Sequence, residues 1–359
     1  MFTSIYWVIG VKLPVIADLR DQKFKILKKA VKKLEKDGIK EALARNGIKP
    51  VDEAVVMLKI LLASLLFRLE LSYFVEELKN RSKLRKLLNI SEVPDTKEVY
   101  DFMAKFEEES FRKAIEQIIN SLFGRTGRGC FKIVVDTSGI DLDLNKQKNR
   151  KSNEDLEDKE YKWGFDGNEF FIGFKLAFAM DYKTKRPLLF LIFPANTNDC
   201  QIFEDVLENL KRRGYLKPKT IVMADKGFCS YYNYSIALKK YRVVPVIWLK
   251  ENMSLSKLLS MISTPLTYFI ENKIKDIIFF KKLVKILVDY LKRVDELKAE
   301  RSEVENVFKL GKCGLFMDKI HRFTRRAVAK FVYANVLLIA ILIRLGFREK
   351  KALQRLAEW

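Results

Sequence analysis

Histidine and cysteine are scarce in this sequence, and their scarcity excludes several kinds of site. The one histidine is His321, and the four cysteines are Cys130, Cys200, Cys229 and Cys313. The cysteines stand far apart with no C-x-x-C pair, so neither a disulfide framework nor a zinc-binding motif is indicated. With a single histidine, the sequence does not indicate a catalytic or metal centre built on histidine. The composition fits a reducing, intracellular compartment, and we expect a cytoplasmic protein.

Uninterrupted hydrophobic runs of membrane length are also missing. The longest apolar segments, residues 1–17 and 331–345, are each interrupted by polar, charged or proline residues. A membrane-spanning helix needs about 20 apolar residues. The first segment also lacks the basic flank and the small-residue cleavage site of a signal peptide. We therefore expect no membrane segment and no membrane partner.

Acidic residues are too few to balance the basic ones. The 359 residues include 68 Lys and Arg against 46 Asp and Glu, which gives a formal net charge of +22. Such an excess indicates a polyanionic partner, either nucleic acid or an anionic membrane surface. With 48% hydrophobic and 12% aromatic residues, the chain can build the cores of two or three folded domains.

The first third of the chain has helical periodicity. Residues 18–49 are rich in lysine with apolar residues at helical spacing, and residues 53–71 are apolar enough for a buried helix. After a break at 91–95, Asp95 and Glu98 predict a helix cap. We predict an all-α N-terminal domain over residues 1–125. It is either a DNA reader of the helix-turn-helix kind or an ordinary helical bundle.

A Gly- and Arg-rich link at 124–129 precedes a change of pattern. The predicted elements are a strand at 131–136, a polar loop at 145–162, hairpin strands at 169–181 and 187–193, a helix at 201–213, a strand at 220–225, a helix at 231–241 and a strand at 243–248. This alternation predicts an α/β sheet covered by helices. Residues 249–295 are Leu-, Ile- and Lys-rich with helical periodicity, and a further helix follows.

Three carboxylates stand at positions that suggest metal chemistry. Asp136 ends the first strand, Asp225 ends the strand after the hairpin, and Glu305 lies on a late helix. In the predicted strand order the first and post-hairpin strands are neighbours, so their carboxyl ends converge. Converging carboxylates suit two Mg²⁺ or Mn²⁺ ions acting on a phosphodiester. Taken singly, a strand-end aspartate is usually a turn former and a helical glutamate is usually solvated.

The residues around these acids resemble the DDE transposases of bacterial and archaeal insertion sequences. The matching segments are Val134-Val-Asp136-Thr-Ser138, Gly173-Phe-Lys175-Leu, Ala195-Asn-Thr-Asn-Asp199, Ala224-Asp225-Lys-Gly-Phe228 and Arg301-x3-Glu305-x6-Lys312. In one large group the last segment begins with tyrosine, as Tyr-x2-Arg-x3-Glu-x6-Lys, whereas Lys298 stands here. The departure concerns a residue thought to handle the DNA end, and it leaves the metal ligands untouched.

The resemblance implies a ribonuclease-H-like mixed sheet flanked by helices, with core segments at 126–248 and 296–359 separated by a helical insertion at 249–295. It implies an enzyme that binds element ends and carries out DNA cleavage and strand transfer, with Asp136, Asp225 and Glu305 as catalytic residues holding two Mg²⁺ or Mn²⁺ ions. The partners would be double-stranded DNA, both element ends and target, and a second copy of the chain. The rivals are a nuclease on the same fold that does not join DNA, and a non-catalytic DNA-binding protein.

Several cations are candidates for DNA contact. Arg301 and Lys312 flank Glu305 on the late helix, four residues before it and seven after it. The segment 309–330 holds seven cations against one acid, and Arg322, Arg325 and Arg326 are its densest group. Lys175 and Lys226 either contact phosphate or are merely exposed. Asp199 resembles an acid that the family often keeps nearby, but turn formation explains it equally well.

Overall fold

The structure, a computed structural model, describes residues 22–36, 38–124, 131–144, 156, 158–167, 169–263, 273–315, 317, 319, 320, 322 and 324–347. Expectations about the apolar segment at 1–17, the polar loop at 145–155 and His321 lie outside these residues.

Helices precede the sheet, as the apolar spacing predicts. They are α1 (Gln22–Lys36), α2 (Ile39–Arg45), α3 (Val51–Phe67), α4 (Leu71–Asn80), α5 (Ser82–Leu88), α6 (Thr96–Lys105) and α7 (Glu108–Phe123). Nearly all of α3 is buried, which explains why its sequence is apolar on every side. The predicted cap of α6 is confirmed as a full capping box, in which the Asp95 side chain accepts from the Glu98 amide and the Glu98 side chain accepts from the Asp95 amide.

A seven-stranded mixed sheet follows. Its strands are β1 (Lys132–Leu142), β2 (Lys162–Phe165), β3 (Phe170–Asp181), β4 (Pro187–Pro194), β5 (Ile221–Ala224), β6 (Val244–Ile247) and β7 (Lys319–Ile320). The path is β2-β3-β1-β5-β6, with β4 also paired to β3 and β7 to β1. The pairs of β3 with β1, β2 and β4 are antiparallel, whereas β1-β5, β5-β6 and β1-β7 are parallel.

Two strands were not predicted, and one is longer than predicted. β1 continues to Leu142 because the long β3 pairs with it as far as Gly173, opposite Asp141. β2 begins at the last residue of the segment predicted as a polar loop and lies before the next predicted strand, and β7 has two residues. Strands this short carry too little alternation to be recognised, and they form here because β3 and β1 offer free edges for pairing.

The remaining helices are α8 (Asp199–Arg212), α9 (Tyr231–Lys239), α10 (Leu255–Ser263), α11 (Ile274–Leu291), α12 (Lys298–Lys309) and α13 (Arg325–Arg344). A π-helical turn, Leu310–Gly314, continues α12. Helix α13 is long and apolar enough to cross a membrane by length and composition alone, but 89% of its apolar window is buried inside the protein. It is the core helix of the fold, which explains the apolar run at 331–345.

Apolar side chains of the described residues form two clusters, one on each face of the sheet. Val134, Phe174 and Phe178 belong to the cluster that also contains helices α1 to α7, α12 and α13. Val135 and Ala177 belong to the cluster with α8, α9, α10 and α11. The alternation follows from the strand pleat, because successive residues point to opposite faces. The N-terminal helices therefore share one continuous core with a face of the sheet.

Candidate active site

Asp136 and Asp225 lie at neighbouring positions at the two central strands β1 and β5. β1 and β5 are parallel, and their last common pair is Val135 with Ala224. Asp136 follows Val135 and Asp225 follows Ala224, so both aspartates come directly after the same residue pair of the ladder. The prediction that the first and post-hairpin strands are neighbours is confirmed. The prediction that Asp136 ends its strand is wrong, because β1 continues past it to Leu142 through its pairing with β3, so the end of β5 lies beside the middle of β1.

Local hydrogen bonds shape the backbone at both aspartates. Oδ1 of Asp136 accepts from the backbone amide of Thr137 at 2.8 Å. Asp225 leads into a 3-10 turn, Lys226–Phe228, whose Phe228 amide donates to the Asp225 carbonyl at 3.0 Å. Both aspartates are half-buried. They combine a defined backbone with access to solvent, as residues that act on a large external substrate need.

Asp199, the first residue of α8, lies against residues that follow each of the two aspartates. Its Oδ1 accepts from the Thr137 hydroxyl at 3.0 Å and from Lys175 Nζ at 2.8 Å. A Cβ placed on Gly227 would meet Asp199 Oδ2 at 2.6 Å, so a larger residue there would displace this carboxylate. Asp199 thus touches residues that directly follow Asp136 and nearly follow Asp225. Its sequence context suggested a turn former equally well, and only the fold brings these residues together.

Glu305 reaches the same face of the sheet by way of α12. Asp136 pairs with Phe178 across β1 and β3, and directly paired residues share a face. The Phe178 ring packs against Phe308 of α12, with 5.6 Å between the centroids, and Glu305 precedes Phe308 by one turn. An ion pair between Lys132 and Glu300 fastens the first turn of α12 to the start of β1.

The Glu305 side chain is exposed, and it does not complete a metal site in this structure. Within the described residues, no group of three or more His, Cys, Asp or Glu side chains could hold a metal ion. The carboxylates of Asp136 and Asp225 are hard oxygen donors of the kind that Mg²⁺ and Mn²⁺ prefer. The donor chemistry therefore fits a divalent ion, whereas the third carboxylate is not gathered with the first two.

Comparison with known proteins identifies the family of the chain. Residues 132–342 match the family described as "Transposase DDE domain", and this segment contains the whole sheet together with Asp136, Asp199, Asp225 and Glu305. The chain belongs to the DDE transposase family. Members of this family normally use divalent metal ions.

No curated protein matches the chain. Among solved structures, the chain is similar to a piggyBac transposase in a structure titled "Cryo-EM structure of piggyBac transposase synaptic complex with hairpin DNA (SNHP)". The sequence identity is 11%, the match covers 94% of this chain and 80% of that one, and the TM-score is 0.43.

The transposase signature on α12 is interrupted by its π-helical turn. Glu305 lies on the α-helix, but Lys312 lies in the π-helical segment, where hydrogen bonds span five residues rather than four. Lys312 is therefore rotated from the position that a continuous α-helix predicts. Lys298, at the tyrosine position of the signature, forms an exposed ion pair with Asp295 at 2.9 Å. The Arg301 side chain lies outside what the structure describes.

Two further candidate cations lie near the strand ends of the transposase domain. Lys175 has the predicted alternation, since its neighbours Phe174 and Leu176 are buried on the opposite face. Its ammonium group donates to Asp199 and to the Thr197 carbonyl, each at 2.8 Å. Lys226, in contrast, is exposed in the turn after Asp225. Of the two, Lys226 has the solvent access that a phosphate contact needs.

The arginine group at the start of α13 faces the N-terminal helices. Arg326 donates to the Phe106 carbonyl at 2.8 Å and pairs with Glu107 at 3.1 Å. Arg325 lies 3.4 Å from Glu108. Arg322 packs over the rings of Tyr100 and Phe331, and burial lowers the pKa of its guanidinium. Their role in DNA binding stays a prediction, since each already has partners within the protein.

Proposed function

We propose that this protein is the transposase of an insertion sequence, which cleaves DNA at the ends of its element and joins the freed ends to target DNA. The observation that carries the proposal is the placement of Asp136 and Asp225 directly after the last residue pair of the β1-β5 ladder, inside the segment that matches the DDE family. DNA is the partner that the net charge of +22 favours.

The proposed core is ribonuclease-H-like. The strand order β4-β3-β1-β5-β6 supports it, since an antiparallel part built on β3 meets a parallel part at β1. We assign residues 126–248 and 296–359 to this core and residues 249–295 to a helical insertion. Residues 1–125 would form a helical domain that binds the element ends.

Asp136, Asp225 and Glu305 are the proposed catalytic residues and metal ligands. Two bound Mg²⁺ or Mn²⁺ ions would supply charge stabilisation at the attacking and leaving oxygens of the phosphodiester. Asp136 would present its carboxylate from within β1 and Asp225 from directly after β5. Asp199 would support both positions by accepting from Thr137 and by packing closely against Gly227. Glu305 would approach from α12, which packs on the face of the sheet that carries Asp136.

Cations around this edge would hold the DNA backbone. We propose Lys226 as a direct phosphate contact because it is exposed and follows Asp225. Arg301 and Lys312 would flank the DNA along α12, and Lys175 would act by orienting Asp199. Element ends are cut in pairs, so we propose that at least two copies of the chain act together on DNA.

The test is cleavage and joining by purified protein on a supercoiled plasmid that carries the element ends. Wild-type protein with Mg²⁺ should give both cleaved ends and strand-transfer products. Asp136→Asn, Asp225→Asn and Glu305→Gln should each abolish both products while DNA binding persists. Asp205→Asn, an exposed change on α8, is the matched control and should retain activity.

Each outcome of this test assigns a function. Cleavage without joined products would identify a nuclease. DNA binding without any cleavage by the wild-type protein would identify a non-catalytic DNA-binding protein. Full activity in one of the three carboxylate variants would remove that residue from the proposed site.

A further inference from the structure

Three turns meet at the end of the sheet that lies opposite the proposed catalytic aspartates. The turn from β3 to β4 is there because Asp181, the last residue of β3, pairs with Ile133 near the start of β1. The starts of β5 and β6 lie beside it, since β5 runs parallel to β1 and β6 runs parallel to β5. Asp225 follows the far end of β5, about 13 Å away along this four-residue strand. We call residues 182–186, 217–219 and 240–243 the amino end of the sheet.

Three cations at the amino end of the sheet have a left-handed backbone. The angle φ is 59° at Lys185, 71° at Lys219 and 57° at Arg242. The described residues include five non-glycine residues with positive φ, and these cations are three of the five. Glycine adopts this conformation at the least cost, because a β-carbon crowds the following carbonyl oxygen. The chain therefore places long charged side chains where the backbone favours glycine, and strained positions of this kind concentrate at binding sites.

Two of these cations are held side by side at the starts of neighbouring strands. The Lys219 amide donates to the Arg242 carbonyl at 2.9 Å. Both charged groups lie over the Phe279 ring of α11, Lys219 at 5.9 Å and Arg242 at 4.3 Å from its centroid. Arg242 also pairs with Asp276 at 3.3 Å, but its side chain is 46% exposed. An exposed pair of this kind leaves guanidinium N–H groups for an external anion.

The amino end of the sheet contains seven cations and no acid. The cations are Lys183, Lys185, Arg186, Lys217, Lys219, Lys240 and Arg242. Arg186 is buried, and Lys240 pairs with Glu204 at 2.7 Å. Of the other five, Lys185 is half-buried and four are exposed. Asp276 neutralises only one of the five, so this end of the sheet presents an excess of positive charge to solvent.

This row of cations has the length and the charge of a DNA contact. β3, β1, β5 and β6 are neighbours in the sheet, and three interstrand steps of about 4.8 Å span about 14 Å. A duplex carries one negative charge per about 1.7 Å of its axis, which gives about eight phosphates over this length. An extended acidic protein segment has at most one charge per about 3.3 Å. The charge density of a duplex therefore suits this surface better.

We propose that the amino end of the sheet, through Lys183, Lys185, Lys217, Lys219 and Arg242, binds the phosphate backbone of double-stranded DNA. The inference rests on the proposed function only in taking DNA as the partner. Because this surface lies opposite the proposed catalytic aspartates, the duplex bound here is a different stretch from the one that is cleaved. Phosphate contacts carry no sequence information, so binding at this surface is independent of sequence.

The test is the salt dependence of duplex binding, measured by fluorescence anisotropy of a fluorescein-labelled blunt duplex with Ca²⁺ in place of Mg²⁺. Lys219→Gly/Arg242→Gly should lower the slope of log K against log salt by about two units and weaken binding by about tenfold or more at physiological salt. Glycine suits the left-handed backbone at both positions, so the variant should keep its fold, which circular dichroism checks. Lys219→Arg/Arg242→Lys keeps both charges on the same backbone and is the matched control, which should bind like wild type.

A second variant and a footprint make the test independent of Arg242 and its ion pair. Lys183→Gln/Lys217→Gln, two exposed changes, should also lower the slope. Acetylation of lysines with and without the duplex, followed by mass spectrometry, should show that bound duplex protects Lys183, Lys217 and Lys219.

Several results would overturn the inference. They are a wild-type slope in both the glycine and the glutamine variants, a charge-conserving control that loses binding as the glycine variant does, and protection confined to lysines of other segments. A polyglutamate peptide that protects these lysines where the duplex does not would identify an acidic protein segment as the occupant, and it would overturn the inference as well.

Failure of this inference differs from failure of the proposed function. Plasmid cleavage by a protein whose glycine and glutamine variants keep the wild-type slope would overturn the surface alone. A lowered slope in these variants of a protein that never cleaves DNA would support the surface and overturn the transposase proposal.

Discussion

The carboxyl edge of the sheet and the start of α13 are both rich in charged residues, but the charges have different surroundings. At this end of the sheet, Lys226 is exposed, and Asp136 and Asp225 are half-buried. At the start of α13, Arg326 is bound to Phe106 and Glu107, and Lys330 is buried and donates to the Met103 carbonyl. Charge density alone therefore does not distinguish a DNA surface from an internal polar junction. The distinction depends on whether protein groups already bind the cation.

Among changes that leave Asp136, Asp225 and Glu305 in place, the largest effect is expected from Gly227, an uncharged residue beside Asp199. Gly227→Ala places a Cβ where Asp199 Oδ2 now lies 2.6 Å away, so the carboxylate must move. We expect cleavage to fall by about 100-fold, since a shift of about 1 Å near reacting groups can cost that much. Asp199→Asn should lower cleavage in the same direction while DNA binding persists. Cleavage equal to that of the Asp205→Asn control in both variants would show that Asp199 does not position the site.

The next largest effect is expected on the pH dependence of the free energy of unfolding, through the titration of Lys330 in the first part of α13. Burial lowers the pKa of Lys330 to about 8, against about 10.4 in an unfolded chain. Between these values the unfolded chain binds the proton that the folded chain has released, so the free energy of unfolding rises with pH. The gain should reach about 2 kcal/mol by pH 10. Chemical denaturation of wild type and Lys330→Met at pH 7.5 and pH 10 measures it, and equal pH dependence in the two would contradict the assignment.

The salt dependence of DNA binding compares the two regions directly. Lys226→Ala should lower the slope of log K against log salt by about one unit, because one phosphate contact is lost. Arg326→Ala should leave this slope unchanged and instead lower the free energy of unfolding by about 1–3 kcal/mol, since the Phe106 carbonyl loses its donor. If Arg326→Ala lowers the slope and Lys226→Ala does not, the DNA contacts belong to the cationic segment 309–330 and not to Lys226.

The smallest effect is expected far from both regions, at the cap of α6. Asp95→Ala removes the side chain that accepts from the Glu98 amide at 2.8 Å. The free energy of unfolding should fall by about 1 kcal/mol, with unchanged cleavage. Cleavage lost in parallel with stability would mean that the effects predicted for Gly227→Ala cannot be separated from general destabilisation.

Much of the fold could be predicted from periodicity and local signals. The helices of the first third, the hairpin of β3 and β4, and the alternation from α8 to β6 agree with the predicted elements to within a few residues. β2 and β7 could not be predicted, because their short sequences pair only where longer strands offer an edge. The π-helical turn after α12 was also missed, since nothing in Leu310–Gly314 distinguishes it from α-helix.

The candidate site, like the fold, could be predicted from the sequence only in part. The position of Asp225 directly after β5 followed from sequence, because a β-branched run that ends in aspartate is a local pattern. Asp136 was predicted to end its strand in the same way, but it lies inside β1, which pairing with the distant β3 extends to Leu142. The contacts of Asp199 with Thr137 and Lys175 join residues 62 and 24 positions apart, and no local pattern encodes them. The same holds for the arginines of α13, whose partners are more than 160 residues away in sequence.

By itself the sequence determined that this is a basic α/β protein of the DDE transposase family with almost no histidine, because composition and local motifs are properties of the chain alone. The tertiary structure decided which charges remain exposed, that the N-terminal helices share a core with the sheet, and that Asp199 contacts Thr137 and Lys175. These features depend on which distant segments come into contact, and the burial and pairing that result are set by packing rather than by any local stretch of residues.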